Sequence, residues 1–341
     1  MAINAGVIGI GMMGGMHLGV YATTDGVEPV AIADVDPKKL KGQFSGGNID
    51  NPNLKEIDFK SLKGYEDAMD LINDPDIDLV DITLPTHLHA KYAVAALEAG
   101  KHVMCEKPLA RNQAECQKIC DAARKSRSVF MVGHCMRFWP EYVFLKDVID
   151  KKIYGKVITA NFTRISPTPT WSWENWLMDP RKSGGMLLDL HIHDIDVVTY
   201  LFGTPKAVLS TGLRNKTGVF HVSTQYTYNK SSHIEAEGGW HYHPAFPFRM
   251  YFRVVCEEAT LEMDTRESPA LKVYDSSGKM EEPKVMAQDG YRREIEYMLE
   301  CIKHNSKPKT ITPRIASENV RIALAEMQSV KTGKPVMLKK K

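Results

Sequence analysis

The sequence predicts two domains: an α/β domain on a doubly wound parallel sheet, then an α+β domain on an open-faced, mostly antiparallel sheet. Three observations carry this. Apolar strand-like runs alternate with helical stretches as far as about residue 130. Beyond that point strand-like runs succeed one another across short turns. And Gly9-Ile10-Gly11-Met12-Met13-Gly14 stands directly after the first strand and before the first helix. In that setting a Gly-x-Gly-x-x-Gly turn marks a Rossmann dinucleotide site; alone it is a weak signal. With 341 residues the chain has room for two cores, read here as 1–130 and 131–341.

In order, residues 3–9 read as a buried strand, followed by the glycine turn and a helix over 16–23. A second strand over 29–33 ends at Asp34, twenty residues beyond Gly14. An acidic residue there holds the ribose hydroxyls of NAD and repels the extra phosphate of NADP; Lys38 and Lys39 close by leave NADP open. Residues 36–75 are polar and read as short helices and loops without chemistry. The run 77–84 is the next buried parallel-type strand and leads into Pro85-Thr86-His87-Leu88-His89 at the sheet's carboxyl edge. A helix over 90–99 closes at Gly100. A strand over 102–105 runs into Glu106-Lys107-Pro108, a helix covers 113–126, and a last parallel strand covers 129–132.

The second half opens with a helix over 140–152. Strands follow at 156–164, 207–213, 219–228, 233–240, 248–256, 260–263 and 271–274. Between the first two lies a helix over 186–202 that ends at Gly203, and two late helices cover 292–303 and 314–330.

Composition narrows the function. Net charge is +2 with both signs interspersed, which points to neither nucleic acid nor a membrane surface. Lys339-Lys340-Lys341 reads as a solvated tail. Six scattered cysteines without a Cys-x-x-Cys pair suggest free thiols in a reducing, cytoplasmic compartment. The glycine-broken N-terminus reads as strand and turn, not a signal peptide.

The candidate chemistry centres on Ser183–Asp196, SGGMLLDLHIHDID. At a helical period Asp189 and His193 share a face, where a carboxylate orients an imidazole and stabilises its charged form. Spacing alone also fits a solvated pair; Gly184-Gly185 before it and the dinucleotide half upstream favour the proton-handling reading. Lys107, just past a strand's carboxyl end, suits the stabilisation of a developing alkoxide. Cofactor contacts are expected from Gly9, Ile10, Gly11, Met12, Met13, Gly14 and Asp34. Further along the edge they are expected from Leu84, Pro85, His89, Glu106, Lys107 and Arg137. Arg164 and Trp173 are candidate substrate contacts, and Trp171, Trp173 and Trp176 fit either sugar stacking or packing. No metal is expected, because histidines two apart, as His191 and His193 are, point to different helix faces.

These motifs resemble the Gfo/Idh/MocA oxidoreductases, the glucose-fructose oxidoreductase and inositol dehydrogenase family. The resemblance rests on GIGMMG at 9–14, AGKHVMCEKPLA at 99–110, GHCMRF at 133–138 and the 183–196 segment. It implies NAD or NADP held by a Rossmann domain and a hydroxyl or ketone substrate among sugars, inositols and related polyols. A homodimer or homotetramer through the second-domain sheet is implied as well. Carried over by motif, Lys107 bonds the reacting oxygen, Asp189 binds substrate, and His193 is the general base. A cis bond at Pro108 is also implied. Two departures stand out: His191, where the family often has glycine, and His134, where it often has an aromatic residue. His191 either shapes the pocket or points into the core. The rival readings are an NADPH-dependent ketone reductase, a redox glycosidase with tightly held NAD, and a non-catalytic NAD-binding regulator.

Overall fold

The computed structural model describes residues 2–43, 54–55, 57–229 and 232–338. The lysine tail and part of the polar 36–75 stretch lie outside them. The chain forms two compact units. One comprises Met1–Cys135, Trp171–Trp176 and Gly290–Glu318; the other comprises Met136–Thr170, Leu177–Asp289 and Asn319–Lys341.

The first unit begins with β1 (Ile3–Ile8), α1 (Met12–Tyr21) and β2 (Val27–Ala33). It continues through β3 (Lys63–Tyr65), α2 (Ala68–Asn73), β4 (Leu79–Ile82), α3 (His89–Glu98), β5 (His102–Glu106), α4 (Gln113–Lys125) and β6 (Phe130–Gly133). All six strands run parallel in the order β3-β2-β1-β4-β5-β6. This is the doubly wound order, and it reverses between β1 and β4, where such sheets bind ligands. β4 and β6 are buried at every position, which is why they read as apolar runs, broken only by Asp81 of β4. β3 was not anticipated: it is three residues long, polar, and at the sheet edge. α1 starts four residues before the expected position, immediately after Gly11.

The second unit begins with α5 (Pro140–Lys151), β7 (Val157–Pro167) and the short α6 (Pro180–Ser183). A π turn over Leu187–His191 then runs into α7 (Ile192–Phe202). The expected single helix over 186–202 is therefore wider in its first turn, a feature common at functional sites. Then come β8 (Ala207–Asn215), β9 (Gly218–Thr227), β10 (His233–Tyr242), β11 (Arg249–Cys256), β12 (Ala259–Asp264), β13 (Leu271–Asp275) and β14 (Met280–Glu281). Along the chain, α8 (Gly290–Lys303), which belongs to the first unit, and α9 (Pro313–Thr332), whose residues are divided between the two, precede β15 (Val336–Met337). The nine strands run β14-β13-β12-β11-β7-β10-β9-β8-β15, antiparallel except for the β7–β10 pair. Met186 and Leu187 pack with Val219, Val222 and Trp240, so the π turn is seated on the sheet. Among the described residues no helix is long and apolar enough to cross a membrane.

Candidate functional site

The glycine turn at the end of β1 is built by close contacts. Gly9 has φ +90°, a left-handed conformation that favours glycine. A Cβ on Gly14 would lie 2.3 Å from the Gly9 carbonyl oxygen, so α1 can approach the turn only through glycine. Thr83, after β4, donates its hydroxyl to that same carbonyl at 2.7 Å. Gly11 differs: a Cβ there would meet nothing within 4 Å. It stands at the N-cap of α1 and brings no side chain to cap the helix. Bare backbone at a helix N-terminus, beside open space, fits a pyrophosphate. Met12 and Met13 form the first turn behind it.

Asp34 holds the turn from β2. One carboxylate oxygen accepts the Ile10 amide at 2.7 Å and the other accepts the Asp36 amide at 2.9 Å. Leu84 and Pro85 follow β4 and lead into α3. His89, at the start of α3, is buried with its two ring nitrogens each 2.8 Å from a carbonyl oxygen, of Leu84 and of Pro108. Burial outweighs those carbonyls and holds its pKa below the ordinary histidine value. His89 thus ties the loop after β4 to the loop after β5. In that second loop the Lys107 amide donates to Glu106 Oε2 at 2.9 Å, and the Lys107–Pro108 bond is cis.

In the second unit, Asp179 caps α6 by accepting the Arg181 amide, and Ser183 accepts the Gly185 amide at 2.9 Å. Gly184 and Gly185 have φ +81° and +78°. A Cβ on Gly184 would lie 2.4 Å from Leu188, so this glycine is explained by packing inside the unit rather than by a ligand. Asp189 and His193 are both partly exposed, while Ile192, Asp194, Ile195 and Asp196 between and beyond them are buried. The segment therefore turns two polar groups outward and a charged set inward.

The inward groups have partners of their own. Arg137 makes a bidentate pair with Asp196, with contacts of 2.8–2.9 Å, and Asn319 adds a bond of 2.6 Å to the same carboxylate. Arg164 pairs with Asp194 at 2.9 and 3.2 Å. Both guanidinium groups are buried in these pairs, so neither needs a ligand to explain its position. His191 points into the core. Its Nε2 lies 3.1 Å from Glu326 of α9, and its ring fills the space a Cβ on Gly238 would need. Burial lowers the His191 pKa, but Glu326 more than reverses this and the pKa lies above the ordinary value. His134 is also buried. Trp173 is about half exposed and precedes Glu174 and Asn175, both left-handed at φ 47° and 53°. Such strain clusters at ligand clamps and switch regions.

Residues 3–134 match the oxidoreductase family model GFO_IDH_MocA, described as an NAD-binding Rossmann fold, and residues 142–262 match the GFO/IDH/MocA C-terminal domain. The chain belongs to the Gfo/Idh/MocA oxidoreductase family. The two matches together take in most of its length, and the first unit is an NAD-binding Rossmann domain. Within this family it is 34% identical over 205 residues to an inositol 2-dehydrogenase of Salmonella paratyphi B, covering 59% of this chain and 55% of that protein. It is 33% identical over 218 residues to a levoglucosan dehydrogenase of Pseudarthrobacter phenanthrenivorans, covering 61% and 54%. The matches thus span about half the length of these relatives. In fold it resembles a levoglucosan dehydrogenase solved with NADH and levoglucosan, at TM-score 0.85 and 23% identity over both whole chains. It also resembles a myo-inositol 2-dehydrogenase from Lactobacillus plantarum, at TM-score 0.81 and 21% identity over 99% of this chain and all of that one.

For a Gfo/Idh/MocA protein the Gly14 contact has a direct consequence. Gly14→Ala forces the turn apart at a cost of about 1–3 kcal/mol. NAD affinity is expected to fall roughly tenfold or more, read by titrating the cofactor into the folded variant. An unchanged affinity would contradict the role of this turn.

Sequence reading missed the buried set His17, Tyr21, Asp81 and Glu294 in the first unit. His17 Nδ1 donates to Asp81 Oδ2 at 2.7 Å, Tyr21 donates its hydroxyl to the same oxygen at 2.7 Å, and Glu294 is fully buried. Two signals were present: a histidine within the apolar MMGGMHLGVY helix, and an aspartate within the buried IDLVDITL strand.

Proposed function

We propose that this protein is an NAD-dependent dehydrogenase acting on a hydroxyl of a sugar, glycoside or cyclic polyol. The observation that carries the reading is the family's reacting set, Lys107, Asp189 and His193, in a chain whose first unit is a Rossmann domain with Asp34 behind its glycine turn. The names of the similar proteins, inositol 2-dehydrogenase and levoglucosan dehydrogenase, support the substrate class.

The glycine turn and the α1 N-terminus hold the pyrophosphate of the cofactor, and Asp34 presents carboxylate to its ribose. That carboxylate disfavours the additional phosphate of NADP. NAD held there would supply a hydride acceptor for the carbinol carbon. Lys107 bonds the hydroxyl oxygen and stabilises its developing negative charge. His193 takes the hydroxyl proton on its imidazole, and Asp189 orients the substrate. An intact proton acceptor speaks against a non-catalytic regulator. The test is formation of NADH over a panel of inositols, aldoses, uronic acids, anhydrosugars and glycosides, with NAD and separately with NADP. Turnover with NAD on an epimer-selective subset is the expected outcome. Turnover only with NADP, or none with NAD bound, overturns the reading.

The protein is further proposed to be a homodimer or homotetramer through the sheet of its second unit. Leu209 and Leu213, on one face of β8, and Met337 of β15 are exposed apolar side chains that support this. A monomer by light scattering at working concentration would refute it. A reducing, cytoplasmic setting is proposed as well, supported by six cysteines of which none is in a disulfide.

A further inference from the structure

His17 sits among three carboxyl groups in the interior of the first unit. Its Nδ1 contacts Asp81 Oδ2 at 2.7 Å, and its Nε2 lies 3.4 Å from Glu106 Oε1. A carboxyl oxygen of Glu294, on α8, lies within 4.8 Å of both the His17 and the Glu106 atoms. His17, Asp81 and Glu294 are wholly buried and Glu106 nearly so. A neutral imidazole would donate from Nδ1 to Asp81 and turn a lone pair on Nε2 toward the Glu106 oxygen, so that two acceptors faced each other. A second ring proton removes that clash and gives these buried carboxylates a counter-charge.

Glu106 is also joined to the reacting loop: its other oxygen, Oε2, accepts the Lys107 amide at 2.9 Å. We propose that His17 is held as an imidazolium and is a positioning residue for Lys107, clamping Glu106 so that the Glu106 carboxylate fixes the Lys107 backbone. The proposal rests on the role given above to Lys107. The groups facing His17 are Tyr21 from its own helix, Asp81 from β4, Glu106 from β5 and Glu294 from α8; Cys105 lies beside Glu106 on β5. Burial alone would drive the His17 proton off, but Asp81 and Glu106 outweigh it and the pKa stands well above the ordinary value. Glu106 lies correspondingly below its ordinary value: burial pushes it up, and His17 and Lys107 pull it further down. A histidine whose folded pKa is raised adds stability that is complete below about pH 6.5. That stability is lost as pH climbs through the folded value, so the His17 contribution outlasts the pH at which an ordinary histidine gives up its proton.

The experiment is nitrogen-resolved NMR of the full-length wild type and His17→Gln, with kinetics on both. The His17 ring is expected to show two protonated nitrogens at pH 7–8, where a free histidine is about neutral. The Lys107 amide proton, shifted downfield by its bond to Glu106, is expected to move upfield in His17→Gln. Turnover should fall about 10–100-fold while KM for NAD changes less than about threefold. If His17→Gln does not fold, Tyr21→Phe, which removes one donor to Asp81, carries the same amide and turnover comparison in milder form. A neutral wild-type ring, an unmoved Lys107 amide, or a stoichiometric divalent ion retained in the proton's place would each overturn the proposal. These spectra need no substrate, so a wild type inactive on every polyol would defeat the dehydrogenase reading without deciding the fate of His17.

Discussion

Changing His193 to alanine is expected to lower NADH-forming turnover by about 10²–10⁴-fold, the usual worth of a positioned general base. NAD affinity should stay within about threefold, because the cofactor contacts proposed are the glycine turn and Asp34 and not His193. The variant should also fold. His193 is partly exposed, whereas Ile192, Asp194 and Ile195 around it carry the packing of α7. Steady-state kinetics with NAD and substrate varied in turn separate the two effects. Wild-type turnover in the variant would remove the proton-handling role, and a loss confined to KM for substrate would make His193 a binding group only.

Asp194→Asn is expected to have the largest effect on stability. Asp194 is wholly buried and its guanidinium partner, Arg164, is 3% exposed. The substitution leaves the Arg164 charge in the interior without its counter-charge, at a cost of about 3–5 kcal/mol. For a unit of this size that is a fall in melting temperature of roughly 6–20 °C. Differential scanning calorimetry reads it directly. A shift within error would mean that Arg164 has a second route to neutralisation. The same variant examines Arg164 as a candidate substrate contact: if its role is the ion pair, folding suffers and KM in the surviving folded fraction does not.

Much of the first unit was legible because physics made its sequence repetitive. Strands buried on both faces are nearly all apolar, as 130–133 is throughout and 79–82 is except at Asp81, and a turn that admits no Cβ at Gly14 must be glycine. The start of α1 was misread because Gly14 and Gly15 are poor helix formers, and close contact with the Gly9 carbonyl overrides that propensity. β3 and β15, three and two residues long, borrow their geometry from a neighbouring strand and carry no pattern of their own. Helical spacing singled out Asp189 and His193, which are both partly exposed. The inward side of the same segment did not, because the partners of His191 and Asp194, Glu326 and Arg164, lie far along the chain. The same holds for His17 and Asp81, 64 residues apart and in contact. The sequence puts Arg137 forward as a cofactor contact and Arg164 as a substrate contact; only the fold reveals that each meets an aspartate of α7.

The central claim is hydride transfer from a carbinol carbon to NAD held by the glycine turn. The most direct measurement is mass spectrometry of the reduced cofactor after incubating the wild-type protein and NAD with carbon-deuterated inositols and hexoses. The account predicts NADH carrying one deuteron from the substrate, formed by the wild type and greatly slowed in His193→Ala. Reduced cofactor without deuterium, or none formed with NAD bound and every polyol present, would contradict it.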